Sequence, residues 1–348
     1  MPTLREVAKR AKVSAGTVSH VLNGSVPVSP ELKKRVQDAI AALDYHPDQV
    51  ARSLKTGRTK TVGIIIPDIA NPFFPQMVRG AEGVLWRQDY SLITVNTDDE
   101  LERERQALSL LRARRVDGVL LVIAPNRGDF THIRATLDAG VPVVCLDRKP
   151  QGMDQADSVT VDNVGGAREC VRHLIAMGHR EIAMITGNLT LANARDRVKG
   201  YKAALREAGI PVVLDLIKEG DFREGTGFRL CHEAFASKDH RPSALFVSNT
   251  SMTMGALEAL CKLGVRCPED IALATFDGFT SPEVFRPAIT AVVQPVYDIG
   301  RVGAELLLRR LGDGAHERPV HRQLTTELKV RESSMRAFSN PAALTIEG

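Results

Sequence analysis

The sequence predicts an all-α N-terminal unit followed by an α/β core of two doubly wound, parallel-sheet subdomains. Two observations support this fold class. Short amphipathic helical patterns with capping residues fill residues 1–45, and from Thr61 onward apolar runs alternate with helical stretches. Runs of Val, Ile and Leu that are apolar almost throughout are typical of parallel strands buried on both faces, and the segments between them are long enough for crossover helices.

Positive charge is concentrated at the N-terminus. Within a formal net charge of +4, residues 1–60 hold eleven Lys or Arg against five Asp or Glu, and the rest of the chain is slightly acidic. This asymmetry is expected where one end of a protein meets phosphate groups. The five cysteines contain no C-x-x-C pair, and no apolar run approaches the ~20 residues that span a bilayer. With no apolar leader segment either, we expect a cytoplasmic, nucleoid-associated protein.

The first two predicted helices lie on either side of a tight turn. Thr3 and Glu6 fit the capping-box pattern T-x-x-E. Ser14 can cap the second helix after a turn at 12–13, and the pair at 29–30, Ser-Pro, can start a third helix. The apolar residues of the three helices can close a small core, formed by Val7, Val18, Val21, Val36 and Ile40.

The tight turn predicts a helix-turn-helix, whose second helix lies in the major groove of DNA. Ala15 and Gly16 would let the backbone approach DNA closely, and Thr17 and Ser19 could hydrogen-bond phosphates or base edges. His20 could donate to a guanine or to a phosphate, and the sequence leaves both roles open. The alternative is a plain three-helix bundle with solvated polar residues.

A short basic segment at 46–60 is predicted to form a hinge helix and a linker. Its helical part, 47–55, would make about two turns, which is marginal for an isolated helix. Leu54 is an apolar side chain among basic and polar neighbours. It could be a wedge that opens a base step from the minor groove, or it could dock on the following domain.

The core is predicted to divide into two subdomains, between which the chain crosses three times. The N-terminal subdomain takes 61–161 and 292–322, and the C-terminal subdomain takes 162–291 and 323–334. The alternating pattern is then lost, and residues 335–348 are predicted to be a flexible tail.

Polar and aromatic side chains follow the ends of several predicted strands. In doubly wound folds the carboxyl ends of the strands face the cleft where ligands bind. Polar groups that fix orientation, together with aromatic walls, suit a small polar ligand, although each residue alone could equally be a helix cap or an ion-pair partner. The candidate effector-binding residues are Asn71, Phe73, Phe74, Arg148, Arg197, Phe222, Asn249 and Asp277.

The all-α N-terminal unit, residues 1–45, is called the headpiece below. Together with the segment that follows it, it resembles the lactose/galactose-repressor family of bacterial transcription regulators, and within it the purine-repressor branch most of all. The matching segments are VAKRA at 7–11, TVSHV at 17–21 and ARSLK at 51–55, together with Asn23. Family features continue to about Ser334. The resemblance implies a homodimer that binds a pseudo-palindromic operator in double-stranded DNA.

The resemblance also implies how the DNA-binding residues act. Thr17 and His20 would read the major groove, and Asn23 would join them at the end of the same helix. Leu54 of each subunit would enter the minor groove at the operator centre, with Lys55 beside it. Positions 15 and 16 are variable among relatives, so the base preference does not follow from the resemblance.

In the core the resemblance implies two subdomains like those of periplasmic sugar-binding proteins, with effector contacts from Arg148, Arg197, Asn249 and Asp277. One departure concerns Thr250, which follows Asn249 where most relatives have an acid. Losing a carboxylate near two arginines is expected to make the pocket positive, unless a neighbouring aspartate neutralises either of them. The expectation is therefore an anionic effector, such as a sugar acid, a sugar phosphate or another carboxylate.

Signatures of enzymes are absent from the sequence. It contains no G-x-G-x-x-G after the first strand, no P-loop, no H-E-x-x-H and no G-x-S-x-G, and its nine histidines lack metal-ligand spacing. We therefore expect a regulator without cofactor or metal, a repressor of metabolic genes whose operator affinity changes with an effector. A regulator controlled by a protein partner is the main alternative, and a solute-binding protein is a further one.

Overall fold

The computed structural model describes residues 2–23, 26–45, 57–236, 242–312 and 317–335. Contacts divide the chain into two compact units, one up to Lys60 and one from Thr61. Most of the predicted hinge, with Leu54 and Lys55, lies outside the described residues, as does the predicted tail beyond Met335.

The described part of the headpiece contains three helices that begin where the capping residues predict. They are α1 Leu4–Ala11, α2 Ala15–Asn23 and α3 Pro30–Ala42. Thr3 N donates to Glu6 Oε2 over 2.6 Å as part of the predicted capping box, and Ser14 Oγ accepts from Thr17 N over 3.0 Å. Local hydrogen bonds at the helix starts thus fix where each helix begins.

One valine from each helix forms the centre of the headpiece core. Val7, Val18 and Val36 are fully buried, and Val21 and Ile40 pack against this cluster. The predicted core is therefore confirmed, and it leaves the polar face of α2 at the surface.

The first subdomain is built on a six-stranded sheet in which all neighbouring strands are parallel. Its strands are β1 Thr61–Ile66, β2 Ser91–Asn96, β3 Gly118–Leu121, β4 Val143–Leu146, β5 Asp157–Val161 and β11 His321–Leu324. Their spatial order is β11-β5-β4-β3-β1-β2. The helices of this subdomain are α4 Phe73–Trp86, α5 Leu101–Ala113, α6 Thr131–Asp138 and α11 Val296–Leu311.

The second subdomain repeats this design with one antiparallel edge. Its strands are β6 Ile182–Thr186, β7 Ile217–Glu219, β8 Ala244–Val247, β9 Ala272–Phe276, β10 Thr290–Val293 and β12 Glu327–Lys329. Their order is β12-β10-β9-β8-β6-β7, and β12 pairs antiparallel with β10. Its helices are α7 Asn163–Ala176, α8 Ala192–Glu207, α9 Glu224–Ala236 and α10 Thr250–Lys262. Short 3-10 turns occupy Leu214–Leu216, Pro282–Val284 and Glu332–Ser334.

The two sheets confirm the predicted fold class, but the chain crosses between them later than predicted. β10 belongs wholly to the second sheet and β11 wholly to the first, so the crossings follow Val293 and Leu324 instead of residues 291 and 322. The predicted boundaries are wrong because they would split a hydrogen-bonded strand between two sheets.

Candidate functional sites

The predicted DNA-contacting residues of the headpiece all belong to α2. They are Ala15, Gly16, Thr17, Ser19, His20 and Asn23. The first five are exposed or half-buried, so they are accessible to a DNA groove into which α2 is inserted. A Cβ added to Gly16 would lie 3.5 Å from Ser14 Oγ, an ordinary contact. Packing inside the headpiece therefore does not require a glycine there, which fits a surface that another molecule approaches.

Arg35 belongs to the basic N-terminal set, but it has a structural partner that the sequence did not predict. Its Nη2 donates to the carbonyl oxygen of Ala11 over 2.6 Å and to that of Lys12 over 3.2 Å. These carbonyls end α1, where Lys12 adopts a left-handed φ of 52°. Arg35 thus satisfies acceptors that the helix itself leaves unpaired.

All eight candidate effector-binding residues line one cavity of about 390 Å³, and four come from each subdomain. In the first subdomain, Asn71, Phe73 and Phe74 follow β1, and Arg148 follows β4. In the second subdomain, Phe222, Asn249 and Asp277 follow strands β7, β8 and β9, and Arg197 lies on α8. Carboxyl ends of parallel strands from both sheets therefore meet at this cavity, the candidate effector cleft (below, the effector cleft), and this is where doubly wound folds bind ligands.

Arg148 is buried and is held by the first subdomain. Its Nη1 donates to the carbonyl oxygen of Ile123 over 2.9 Å, and both Nη atoms bind the carboxylate of Asp99. Burial alone would lower the pKa of Arg148, but the charge and hydrogen bonds of Asp99 raise it above its ordinary value. Arg148 Nε has no hydrogen-bond partner among the described residues. The guanidinium is thus charged and paired with Asp99, and its Nε lies 3.7 Å from Asp147 Oδ2, beyond hydrogen-bond distance.

Arg197 is fixed by the second subdomain. Its Nε donates to Asn163 Oδ1 over 2.9 Å, and its Nη1 donates to the carbonyl oxygen of Ser248. Its guanidinium carbon lies 3.8 Å from the centre of the Phe276 ring, in cation–π contact. Burial lowers the pKa of Arg197, and Asp277 opposes that effect. These contacts fix the orientation of the guanidinium at the cleft.

Two buried aspartates complete the inner lining. Burial raises the pKa of Asp147, and it raises the pKa of Asp277 to about 6, with Arg197 opposing the rise in Asp277. Asn193 Nδ2 donates to Asp147 Oδ2 over 3.1 Å, and Gln294 Nε2 donates to Asp277 Oδ1. Within the described part of the chain, Asp147 Oδ1 and Gln294 Oε1 accept no hydrogen bond. The lining therefore holds acceptors that a ligand could satisfy.

Phe222 forms an aromatic wall of the cleft, and its backbone adopts a left-handed conformation that neighbouring residues support. Its φ is 68°, and Asn249 Nδ2 donates to its carbonyl oxygen over 3.0 Å. Asn249 Oδ1 caps α10, so the amide of Asn249 is engaged within the protein at both ends. The ring packs against Gly187, where an added Cβ would lie 2.0 Å from a ring carbon. The guanidinium carbons of Arg148 and Arg197 lie 5.8 and 5.9 Å from the ring centre.

The expectation of a positive pocket is wrong. Seven acidic residues and three arginines line the cleft, and the buried pair Asp147 and Asp277 balances Arg148 and Arg197. Thr250 lines an adjoining cavity of about 600 Å³ and does not line the cleft itself. Position 250 therefore belongs to the adjoining cavity, and the charges that line the cleft come from other residues.

Several cleft residues were missed by the sequence analysis. Arg223 Nη2 donates to the main-chain oxygen of Asp98 over 2.7 Å, which joins the two subdomains. Asp98 and Asp99 follow β2 with left-handed φ values of 54° and 60°, so this strand end could have been selected like the others. Asn193 lies in the first turn of α8, where nothing in the sequence marks it.

The described residues contain neither a candidate metal site nor a candidate membrane-spanning helix. No group of three or more His, Cys, Asp or Glu side chains there could hold a metal ion. None of the helices described has both the length and the apolar character needed to cross a membrane. Three of the cysteines, Cys145, Cys170 and Cys231, are buried, and Cys261 is exposed.

The headpiece and the core define a class of protein in which a helix-turn-helix is joined to a two-subdomain ligand-binding fold. Residues 3–48 match the model for bacterial regulatory proteins, lacI family, and residues 171–334 match the periplasmic binding protein-like domain. The HTH-type transcriptional repressor PurR of Aliivibrio salmonicida (strain LFI1238) is 34% identical over 96% of this chain and 99% of its own length. The chain therefore belongs to the lacI family, whose members are transcriptional regulators and not enzymes.

Two solved structures have the same architecture. The transcriptional regulator CelR in complex with cellobiose is 34% identical, with a TM-score of 0.72 over 96% of this chain and 100% of that chain. The Lac repressor dimer bound to operator and the anti-inducer ONPF is 27% identical, with a TM-score of 0.83 over 96% of this chain and 99% of that chain. These similarities confirm the family and the fold class that the sequence predicted.

Proposed function

We propose that this protein is a ligand-responsive, sequence-specific repressor of metabolic genes, which acts in the cytoplasm as a homodimer on a pseudo-palindromic operator. The observation that carries the proposal is that side chains from both subdomains, selected from the sequence alone, surround one cavity. Similarity to the operator-bound Lac repressor dimer and to cellobiose-bound CelR supports both the DNA partner and the small-molecule partner.

The effector would act by changing the angle between the subdomains. Two hydrogen bonds, from Asn193 to Asp147 and from Arg223 to Asp98, already join them across the cleft. A ligand that contacts both faces would shift the balance between closed and open arrangements. Coupling between two such sites typically amounts to about 1–3 kcal/mol, or roughly 5–150-fold in affinity. The sign of the change identifies the effector as one that releases DNA or one that promotes its binding.

In the DNA-bound dimer, α2 of each headpiece would lie in the major groove. Thr17 and His20 would contact base edges, and the small residues Ala15 and Gly16 would allow the close approach. Ser19 and Asn23 would contribute further polar contacts from the same helix. Leu54 and Lys55 would act at the minor groove between the half-sites, a proposal that depends on the sequence alone.

We infer a neutral, hydroxyl-rich effector in place of the anionic one that the sequence suggested. Arg148 is paired with Asp99, and an anion would approach a lining in which acidic residues outnumber arginines. A hydroxyl group both donates and accepts, so it could satisfy Asp147 Oδ1, Gln294 Oε1 and Arg148 Nε, which lack partners among the described residues. The rings of Phe73 and Phe222 would cover the apolar faces of a sugar.

The test begins with selection of an operator from random duplexes by the full-length protein. Operator affinity is then measured by fluorescence anisotropy at fixed salt, with neutral sugars such as ribose and cellobiose and with sugar acids and sugar phosphates. A salt-sensitive sequence preference that a neutral sugar changes would support the proposal. Absence of any sequence preference would overturn the DNA-binding role. A response to acids alone would overturn the neutral effector, and a response only to a protein from the same cell would favour control by a protein partner.

A further inference from the structure

A further cavity lies between the subdomains, has a volume of about 220 Å³ and shares no lining residue with the effector cleft. Its first wall comes from the loops that follow β3 and β4, and its second wall comes from the loop before α8 and the start of that helix. Three basic side chains line it: Arg127, Lys149 and Arg195. Its lining contains no acidic residue, which contrasts with the acidic lining of the effector cleft.

The three cations are only partly compensated by the protein. Arg127 is exposed and has no hydrogen bond or ion pair with the described residues. Lys149 Nζ lies 3.0 Å from Asp154 Oδ1, a carboxylate that is 77% exposed. Exposed pairs of this kind contribute about 0–1 kcal/mol, so Lys149 can exchange this partner for a better-placed anion. Arg195 Nη1 donates to the carbonyl oxygen of Leu189 over 2.5 Å, a contact that leaves its charge unneutralised.

The start of α8 adds further donors to the same cavity. This 16-residue helix begins without a side-chain cap, and its N-cap Leu191 and first residue Ala192 both line the cavity. Unpaired N–H groups at a helix start carry partial positive charge and bind anions. In α8 the N–H of Ala194 already donates to Asn193 Oδ1 over 2.9 Å, so the main-chain donors in question are those of Ala192 and Asn193. The volume is below the roughly 300–1,000 Å³ of cavities that hold drug-sized ligands, so a compact ligand fits best.

We propose that this cavity binds a phosphate group, either free phosphate or a small phosphate ester, through Arg127, Lys149 and Arg195. The site is separate from the effector cleft and does not depend on the effector inferred there. Because Arg127 and Lys149 belong to the first subdomain and Arg195 to the second, the bound anion stabilises the arrangement in which these walls are close. Phosphate is thus a second ligand, besides the effector, that shifts the equilibrium between open and closed arrangements of the two subdomains.

Isothermal titration of the full-length protein with inorganic phosphate and with glucose 6-phosphate, at constant ionic strength in chloride, tests the proposal. At least one of the two is expected to bind, and its affinity should fall at least tenfold in both Arg127→Gln and Arg195→Gln. Arg180→Gln removes the same charge from an exposed arginine that lines neither cavity, and it should bind like the wild type. Equal affinity for the two anions identifies free phosphate as the ligand, and tighter binding of the ester identifies a phosphorylated metabolite.

Absence of binding by both anions overturns the proposal, as does an equal loss of affinity in Arg180→Gln. A loss in Asn249→Ala, with Arg127→Gln unaffected, also overturns it, because the anion would then occupy the effector cleft. The bond from Arg195 to the Leu189 carbonyl supports the loop before α8. Arg127→Gln is therefore the decisive variant, since Arg127 makes no such contact.

Discussion

Asn193 in the second subdomain donates a hydrogen bond to Asp147 in the first, over 3.1 Å. Both side chains are buried, with 4% of each exposed. The other carboxylate oxygen, Asp147 Oδ1, has no partner among the described residues. Asn193 is therefore the neutral donor that compensates a carboxylate at the interface between the subdomains, and removing it tests how tightly they are joined.

Asn193→Ala is expected to lower the free energy of unfolding by about 1–3 kcal/mol, because a buried acceptor loses its donor. Asn193→Asp should cost more at pH 7 than at pH 5, since two carboxylates would then face each other and one of them takes up a proton in acid. Urea unfolding of the full-length protein at both pH values measures these changes.

The control for this pair is Gln106→Ala, which removes an amide from an exposed position on α5. It should change the free energy of unfolding by no more than about 0.5 kcal/mol. If Asn193→Ala and Gln106→Ala had equal effects, the bond between Asn193 and Asp147 would contribute nothing to joining the subdomains.

Gly187→Ala should displace the aromatic wall of the cleft. Its added Cβ would lie 2.0 Å from a carbon of the Phe222 ring, so the ring must move. We expect the affinity for the neutral sugar that binds best to fall at least tenfold in isothermal titration, with the operator preference of the headpiece unchanged. Gly225→Ala is the matched control, because nothing lies within 4 Å of its added Cβ. Unchanged sugar binding by Gly187→Ala would show that Phe222 is not a wall of the ligand site.

Asp277 should make stability depend on pH in mild acid. Burial raises its pKa to about 6, from an ordinary value of 3.8. Between these values the folded protein holds a proton that the unfolded chain has released, so this group's contribution to stability falls as pH rises through the window and then levels off. Asp277→Asn stays uncharged and keeps an acceptor for Gln294. Relative to the wild type, the variant should therefore gain stability as pH rises, by up to roughly 3 kcal/mol.

Chemical denaturation at half-unit steps from pH 4 to pH 8 measures this difference for Asp277→Asn. Asp196→Asn is the control, since Asp196 is a half-buried carboxylate that pairs with Lys199 and does not line the cleft. A difference between Asp277→Asn and the wild type that stays constant over the whole range would mean that Asp277 is ionised throughout in the folded protein.

The sequence predicted which side chains gather at the cleft, but it did not predict what they contact. Asn71, Arg148 and Asp277 could be selected because strand ends are visible in the pattern, and parallel strands bring their ends to one edge. The partner of Arg148 is Asp99, 49 residues away, and the pairing of Arg223 with Asp98 spans 125 residues. Such pairs depend on how sheets and loops are arranged in space, which periodicity does not encode. The charge of the pocket was predicted wrongly for this reason.

His20→Ala should weaken binding to the selected operator by about 1–3 kcal/mol and binding to random duplex by less. His20 is exposed on α2, where it can reach a base edge or a phosphate. Anisotropy titrations on both duplexes at one salt concentration separate these roles. Equal losses on the two duplexes would make His20 a phosphate contact. Gln37→Ala, at an exposed position on α3, should leave both affinities unchanged.

Arg35→Ala should destabilise the end of α1 and leave the salt dependence of DNA binding unchanged. Arg35 donates to the carbonyl oxygens of Ala11 and Lys12, and losing hydrogen bonds of this kind costs about 1 kcal/mol. Hydrogen exchange of the α1 amides should therefore be several-fold faster in full-length Arg35→Ala than in full-length Lys34→Ala. The Lys34→Ala control removes an exposed charge from α3, the helix that also carries Arg35. A phosphate contact would instead reduce the slope of log affinity against log salt by about 0.9. A reduced slope with unchanged exchange would make Arg35 a DNA ligand and contradict its role as a cap of α1.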